Sequence, residues 1–134
     1  MKESLVAGLT HSRTFAVDKD RTIAFMGEEG RVYATPALIR DIEQTCRDFL
    51  LGHCDAGEDS VGTRVELDHL APTPLGMSAE ITITVAEVKG RAVTFDVAAK
   101  DGLEPIGKGR HSRFVVDVEK TKARLKGKAQ KAGA

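Results

Sequence analysis

Apolar residues recur at helical spacing in one part of the chain and alternate through most of the rest. Leu38, Ile39, Ile42, Cys46, Phe49 and Leu50 form one stripe at about 100° per residue, while Arg40, Asp41, Gln44, Arg47 and Asp48 fall on the opposite side. This predicts one long amphipathic helix from about Pro36 to about His53. Its start is marked by Thr35, whose side-chain oxygen can cap the first amides, and by Pro36, whose fixed φ suits a first helical position.

The rest of the chain reads as strands. Leu9 to Val17 precedes the helix, separated from it by an irregular stretch, Asp18 to Arg31, in which Thr22 to Met26 suggests a short helical turn. After the helix come four strand-like runs. In the first, Val61 to Ala71, Thr63, Val65, Leu67 and His69 alternate with Arg64, Glu66 and Asp68. Pro72, Pro74 and Gly76 then break the pattern. Ala79 to Val88 sets Ile81, Ile83 and Val85 against Glu80, Thr82 and Thr84, and Lys89-Gly90-Arg91 makes a tight turn. Val93, Phe95 and Val97 continue on the next strand, which ends at Asp101-Gly102, a favoured hairpin turn. The last strand runs from about Pro105 to Val118, with Phe114, Val116 and Val118 on one side. One helix followed by an antiparallel meander is an α+β arrangement in which a curved sheet wraps the helix. Such a sheet leaves an edge to cover, so a homodimer that extends it is the expected completion, with higher oligomers open.

Length and composition fit a single domain over residues 1–118: the chain has 134 residues, 41% of them hydrophobic, enough for one core. From Glu119 onward the tail 119–134 holds six basic residues and one acidic. Its net +5 leaves −5 on the body and fits a solvated helical end or a disordered segment. Lysine plus arginine equals aspartate plus glutamate at 20 each, so no global field recruits nucleic acid or an anionic membrane. No apolar run is long enough to span a bilayer and no secretory signal opens the chain, and a cytoplasmic location is expected. Cys46 and Cys54 lie eight residues apart on the predicted helix, about 12 Å along its axis, too far for a disulfide. His11, His53, His69 and His111 are scattered without metal-ligand spacing, so no metal is expected.

Two residues break their local pattern. Glu43 lands on the edge of the helix's apolar stripe, partly shielded, with Arg40 and Arg47 in reach for a surface ion pair as its alternative role. His69 points the way the neighbouring valine and leucine point, where its ring acts either as a hydrogen-bonded core residue or as a catalyst.

Val32-Tyr-Ala-Thr35, Glu43 eight residues on, and Gly62-Thr-Arg-Val-Glu-Leu-Asp-His69-Leu-Ala-Pro-Thr-Pro-Leu-Gly76 occur in that order. With Asp101-Gly102, Ile106-Gly107 and His111-Ser112-Arg113, they resemble the fluoroacetyl-CoA thioesterases and their hot-dog relatives over about Val32 to Val118. The resemblance implies a hot-dog fold and hydrolysis of a short or modest acyl-CoA, with no cofactor because coenzyme A belongs to the substrate. It further implies Thr35, Glu43 and His69 as catalytic residues, Gly62 as the glycine whose amide helps hold the thioester oxygen, and Arg113 as an active-site arginine. Glu43 would act as general base on water or attack directly to form a mixed anhydride, and both routes remain open. In the fluoroacetyl-specific members, aromatic residues before the helix gate a small pocket. Here Glu29 falls where a gating phenylalanine would stand, so fluoroacetyl selectivity is not expected. The competing readings are a non-catalytic acyl-CoA binding module and a hot-dog enoyl-CoA hydratase.

Overall fold

The computed structural model describes residues 1–133. Its strands are β1 (Thr10–Ala16), β2 (Thr22–Ile23), β3 (Val32–Tyr33), β4 (Glu58–His69), β5 (Ser78–Lys89), β6 (Ala92–Lys100) and β7 (Pro105–Asp117), and its helices are α1 (Thr35–Leu51) and α2 (Val118–Lys131). Five strands form one antiparallel sheet in the order β1-β5-β6-β7-β4, leaving β1 and β4 as its edges. The helix α1 lies against one face, as expected for an α+β hot-dog arrangement.

The core follows the two periodicities. Leu38, Ile42, Cys46 and Leu50 of α1 are buried against Ala79, Ile81, Ile83 and Val85 of β5 and Val93, Phe95 and Val97 of β6. Each large apolar side chain so buried contributes about 1.5–3 kcal/mol. At Gly90 the tight turn between β5 and β6 takes φ +60°, the left-handed conformation for which glycine is suited. The turn after β6 works differently. Gly102 has no positive φ, and the Asp101 carboxylate shapes the bend by accepting from the amides of Leu103 (2.8 Å) and Glu104 (3.0 Å).

The structure departs from the sequence expectations at several points. Thr22–Ile23 is a strand paired with Val32–Tyr33, and the helical turns fall on either side, at Lys19–Arg21 and Glu28–Gly30. The long helix starts at Thr35 and ends at Leu51, and no side chain caps its start: Ala34 is the N-cap residue, and Thr35 turns its hydroxyl elsewhere. The last strand ends at Asp117, with Val118 opening α2; the side that holds Phe114 is the outer one, and the inward residues are His111, Arg113 and Val115. The basic tail forms α2, capped by Asp117, with no buried side chain; Ala134, the last residue of that tail, lies outside the described residues.

Asp41 is the largest departure on α1. Periodicity assigns it to the polar side, yet it is only 2% exposed. It accepts hydrogen bonds from Arg21 Nε (2.8 Å) and Nη2 (3.2 Å) and from the Tyr33 hydroxyl. The turn Lys19–Arg21 and strand β3 lie over this face of the helix and supply one donor residue each, so the carboxylate is buried fully partnered.

Of the register shifts in the sheet, the one that bears on the site is a β-bulge in β4. Gly62 pairs with Arg113 and Arg64 with Ser112, leaving Thr63 as the extra residue on β4. Strict alternation would set Gly62 with Arg64 and Glu66, on the face opposite His69. The bulge shifts the parity, so that Gly62, Val65, Leu67 and His69 all face the helix side.

Candidate active site

The helix α1 and strand β4 run past each other in opposite directions, and the site residues meet in two groups along that crossing. At the helix start, Thr35 is the first helical residue and His69 the last of β4. Thr35 Oγ1 and His69 Nδ1 lie 2.7 Å apart. The Tyr33 ring stands edge-on to the imidazole, centroids 6.4 Å apart. Thr35 and His69, with Ile23, Val32, Tyr33, Leu70, Ala71 and Pro72, line a cavity of about 280 Å³. His69 Nε2 is buried and has no hydrogen-bond partner among the described residues. Burial pushes the imidazole below its ordinary 6.5, so the ring is neutral near neutral pH. A neutral histidine fixed at one nitrogen with the other unpartnered is ready for a reacting group.

The second group sits two helical turns along. Glu43 is half-buried and makes no ion pair among the described residues; Arg47, one turn away, pairs with Asp59 at 2.7 Å. The carboxylate is aimed at Gly62. A Cβ added there would lie 2.8 Å from Glu43 Oε1, 3.3 Å from His111 Cε1 and 3.4 Å from Arg113 Nη1. Only a glycine lets these three side chains crowd the strand so closely.

Arg113 is 5% exposed. Its Nε donates to Ser60 Oγ (2.8 Å), Nη2 to the Ser60 carbonyl (2.8 Å) and Nη1 to His111 Nε2 (3.1 Å). Burial pushes the guanidinium below its ordinary value, and the neighbouring Glu43 carboxylate opposes that shift. Of the five N–H donors of a guanidinium, two stay free, one of them on Nη1, the nitrogen nearest Gly62.

Glu43, Gly62 and Arg113 are thus brought together, as are Thr35 and His69, but the two groups are separate within one chain. Thr35 and Glu43 are eight residues apart on α1, about 12 Å along the axis. Gly62 and His69 are seven residues apart on β4, about 20 Å.

Sequence reasoning missed His111, Ser60 and Tyr33 as members of these groups, and Arg21 as the partner that closes over Asp41 beside them. For His111 a signal existed, since His111, Arg113 and Val115 alternate as well as Phe114 and Val116 do. For Arg21 and Tyr33 there was none, because their shared partner Asp41 looks solvent-facing in the helical pattern. Glu29 is exposed and makes no contribution to the cavity lining.

The profile of the family described as FlK, fluoroacetyl-CoA-specific thioesterase, matches residues 17–119. The fluoroacetyl-CoA thioesterase of Streptantibioticus cattleyicolor is 30% identical over 135 residues, covering 96% of this chain and 97% of the relative. Among solved structures, the fluoroacetyl-CoA thioesterase FlK superposes with a TM-score of 0.85 at 29% identity over 92% of this chain and 97% of that one. A hypothetical protein of Thermus thermophilus, described as a thioesterase superfamily member, superposes with a TM-score of 0.87 at 25% identity over 96% of both chains. A hot-dog-like protein from Thermanaerovibrio acidaminovorans does so with a TM-score of 0.84 at 27% identity over 91% of both.

Proposed function

Because the chain belongs to the fluoroacetyl-CoA-specific thioesterase family, whose members are thioester hydrolases acting on acyl-CoA, we propose that it cleaves a short or modest acyl-CoA to the free acid and coenzyme A, with Glu43, His69 and Thr35 as its catalytic residues. The observation that carries this reading is the Glu43 carboxylate, without an ion pair among the described residues and held against Gly62 beside a buried arginine.

Thioester hydrolysis needs a nucleophile at the carbonyl carbon, donors for the developing oxyanion and an acid for the departing thiolate. Glu43 takes a proton from attacking water, or attacks itself to give a mixed anhydride that water then opens. The free N–H on Arg113 Nη1 and the backbone at Gly62 face the carbonyl oxygen. His69, oriented by Thr35, polarises the carbonyl or positions water and helps protonate the sulfur. No cofactor enters, since coenzyme A arrives with the acyl group.

The two groups of residues complete each other in a homodimer. Strand β4 is an unpaired sheet edge. Pairing two such edges antiparallel about Glu66 sets Gly62 opposite the partner's His69, because the bulge at Thr63 absorbs one residue, and residues opposite one another share a face. Each Glu43 then meets the Thr35–His69 pair of the partner subunit, giving two sites per dimer.

Thiol release from acetyl-, fluoroacetyl-, branched, aromatic and long-chain acyl-CoAs, with Glu43→Gln as control, tests the reaction. Glu43-dependent release from any of them supports it, and silence across the panel with binding retained replaces it with a binding role. Mixing Glu43→Gln with His69→Ala protein tests the shared site. Hybrid dimers carry one intact site and regain turnover, whereas sites built within one chain leave the mixture dead.

A further inference from the structure

His111 is buried, with 1% of its surface exposed, and the catalytic scheme above gives it no role. Its two ring nitrogens have partners that leave no choice of tautomer. Nδ1 lies 2.8 Å from the backbone carbonyl of Arg64, which can only accept, so Nδ1 carries the hydrogen. Nε2 lies 3.1 Å from Arg113 Nη1, which can only donate, so Nε2 is the acceptor.

Both partners belong to the site. Arg64 is the residue after the bulge at Thr63, and its carbonyl meets the His111 ring there. The Thr63 hydroxyl ties the bulge down from the other side by donating to the Ser112 carbonyl at 3.1 Å. That bulge turns Gly62 to the face of His69 and Glu43. The guanidinium that His111 accepts from is the one beside Glu43. Ser60 holds the planar guanidinium at Nε and Nη2, and His111 takes one of the two N–H groups on Nη1, leaving the other for the Gly62 side.

We infer that His111, kept as the neutral Nδ1–H tautomer, is a positioning residue that pins the bulge presenting Gly62 and aims the Arg113 Nη1 donor across it. The inference rests on the proposed site for its catalytic consequence, but the tautomer and the two contacts stand apart from any substrate. A protonated ring would set an N–H against the guanidinium. Burial, reinforced by Arg113, keeps the imidazole below its ordinary 6.5, against the opposing pulls of the Arg64 carbonyl and of Glu43 from α1.

Three substitutions separate the parts of this role. Asparagine places an amide where Nδ1 was, keeping the bond to the Arg64 carbonyl and losing Arg113. Glutamine reaches the position of Nε2, keeping an acceptor for Arg113 and losing the bulge. Phenylalanine fills the volume and loses both. The expected kcat order is wild type, then His111→Gln and His111→Asn, then His111→Phe at least about tenfold down, with KM changed far less. A residue that merely fills the core gives the reverse, with phenylalanine tolerated best. Long-range proton–nitrogen NMR of the ring and of the Arg113 Nη1 hydrogens, run on wild type and on the variants that keep a cooperative melt, reads the geometry without turnover. The expected wild-type spectrum at pH 7 is a neutral ring with hydrogen on Nδ1, and the Arg113 Nη1 hydrogens exchange faster in His111→Phe. Hydrogen on Nε2, a doubly protonated ring, or unchanged Arg113 exchange in His111→Phe overturns the inference. If wild type hydrolyses no acyl-CoA, the functional proposal fails and the NMR result still decides the role of His111.

Discussion

Asp41 and Glu43 stand two residues apart on α1, and their surroundings have opposite character. Asp41 faces the turn Lys19–Arg21 and strand β3, where a guanidinium and a phenol close over it. Glu43 faces the sheet, where a glycine removes the side chain that would have packed on it and the neighbouring Arg113 is held by Ser60 and His111. A buried carboxylate with its acceptors filled holds the fold together and has nothing left for a substrate. One left open beside a close-approach glycine gains little for stability and keeps its oxygens for chemistry.

Exchanging the two acids for neutral residues should split activity from stability. Glu43→Gln is expected to lower kcat by about 10²–10⁴, the range for a lost general base, with the melting curve nearly unchanged; measured turnover above a tenth of wild type would sink the role of Glu43. Asp41→Ala should do the opposite, costing about 3–5 kcal/mol in denaturant unfolding because it strands Arg21 and the Tyr33 hydroxyl against a lost partner. A loss under about 1 kcal/mol would mean that this network contributes no more than an exposed ion pair.

Gly62→Ala sharpens the contrast at lower cost to the fold. The new methyl would stand 2.8 Å from Glu43 Oε1, the end of a flexible side chain that can swing aside. Stability should stay within about 0.5 kcal/mol while kcat drops about tenfold, since the carboxylate is displaced from its aim. Unchanged kinetics would show that the close approach is not used.

The smallest effect is on pH dependence. His69 and His111 are both held below the ordinary imidazole value by burial. The unfolded chain therefore takes up protons before the folded one does, and stability is full above about pH 6.5 and declines as the pH falls from there through the folded values. Unfolding midpoints compared at pH 8 and pH 5 check the sign. His111→Gln should remove the His111 share of the decline, and an equal decline in that variant would assign the effect elsewhere.

Most of this architecture was legible along the chain. The alternation at Ile81, Ile83 and Val85 and at Val93, Phe95 and Val97 marks the strands whose inner faces line the core, and the stripe from Leu38 to Leu50 marks the helix that covers them. Thr35, Glu43, Gly62, His69 and Arg113 were singled out by broken patterns and by resemblance. Their grouping was not legible, nor was the burial of Asp41, because a helical wheel assumes one apolar side and cannot register a partner 20 residues upstream.

The sequence by itself determined the long helix, the first strand and the four strands that follow the helix, since backbone geometry repeats every 3.6 or 2 residues and apolar spacing reports that period locally. Only the tertiary structure decided which face Gly62 on β4 and the inward residues of β7 present, and which acids are closed or open. A single extra residue at Thr63 reverses the parity of everything beyond it. Such a bulge is set by pairing with β7 and by the side chains of His111 and Thr63 that hold it, and these contacts join residues about fifty positions apart, whose meeting no local period encodes.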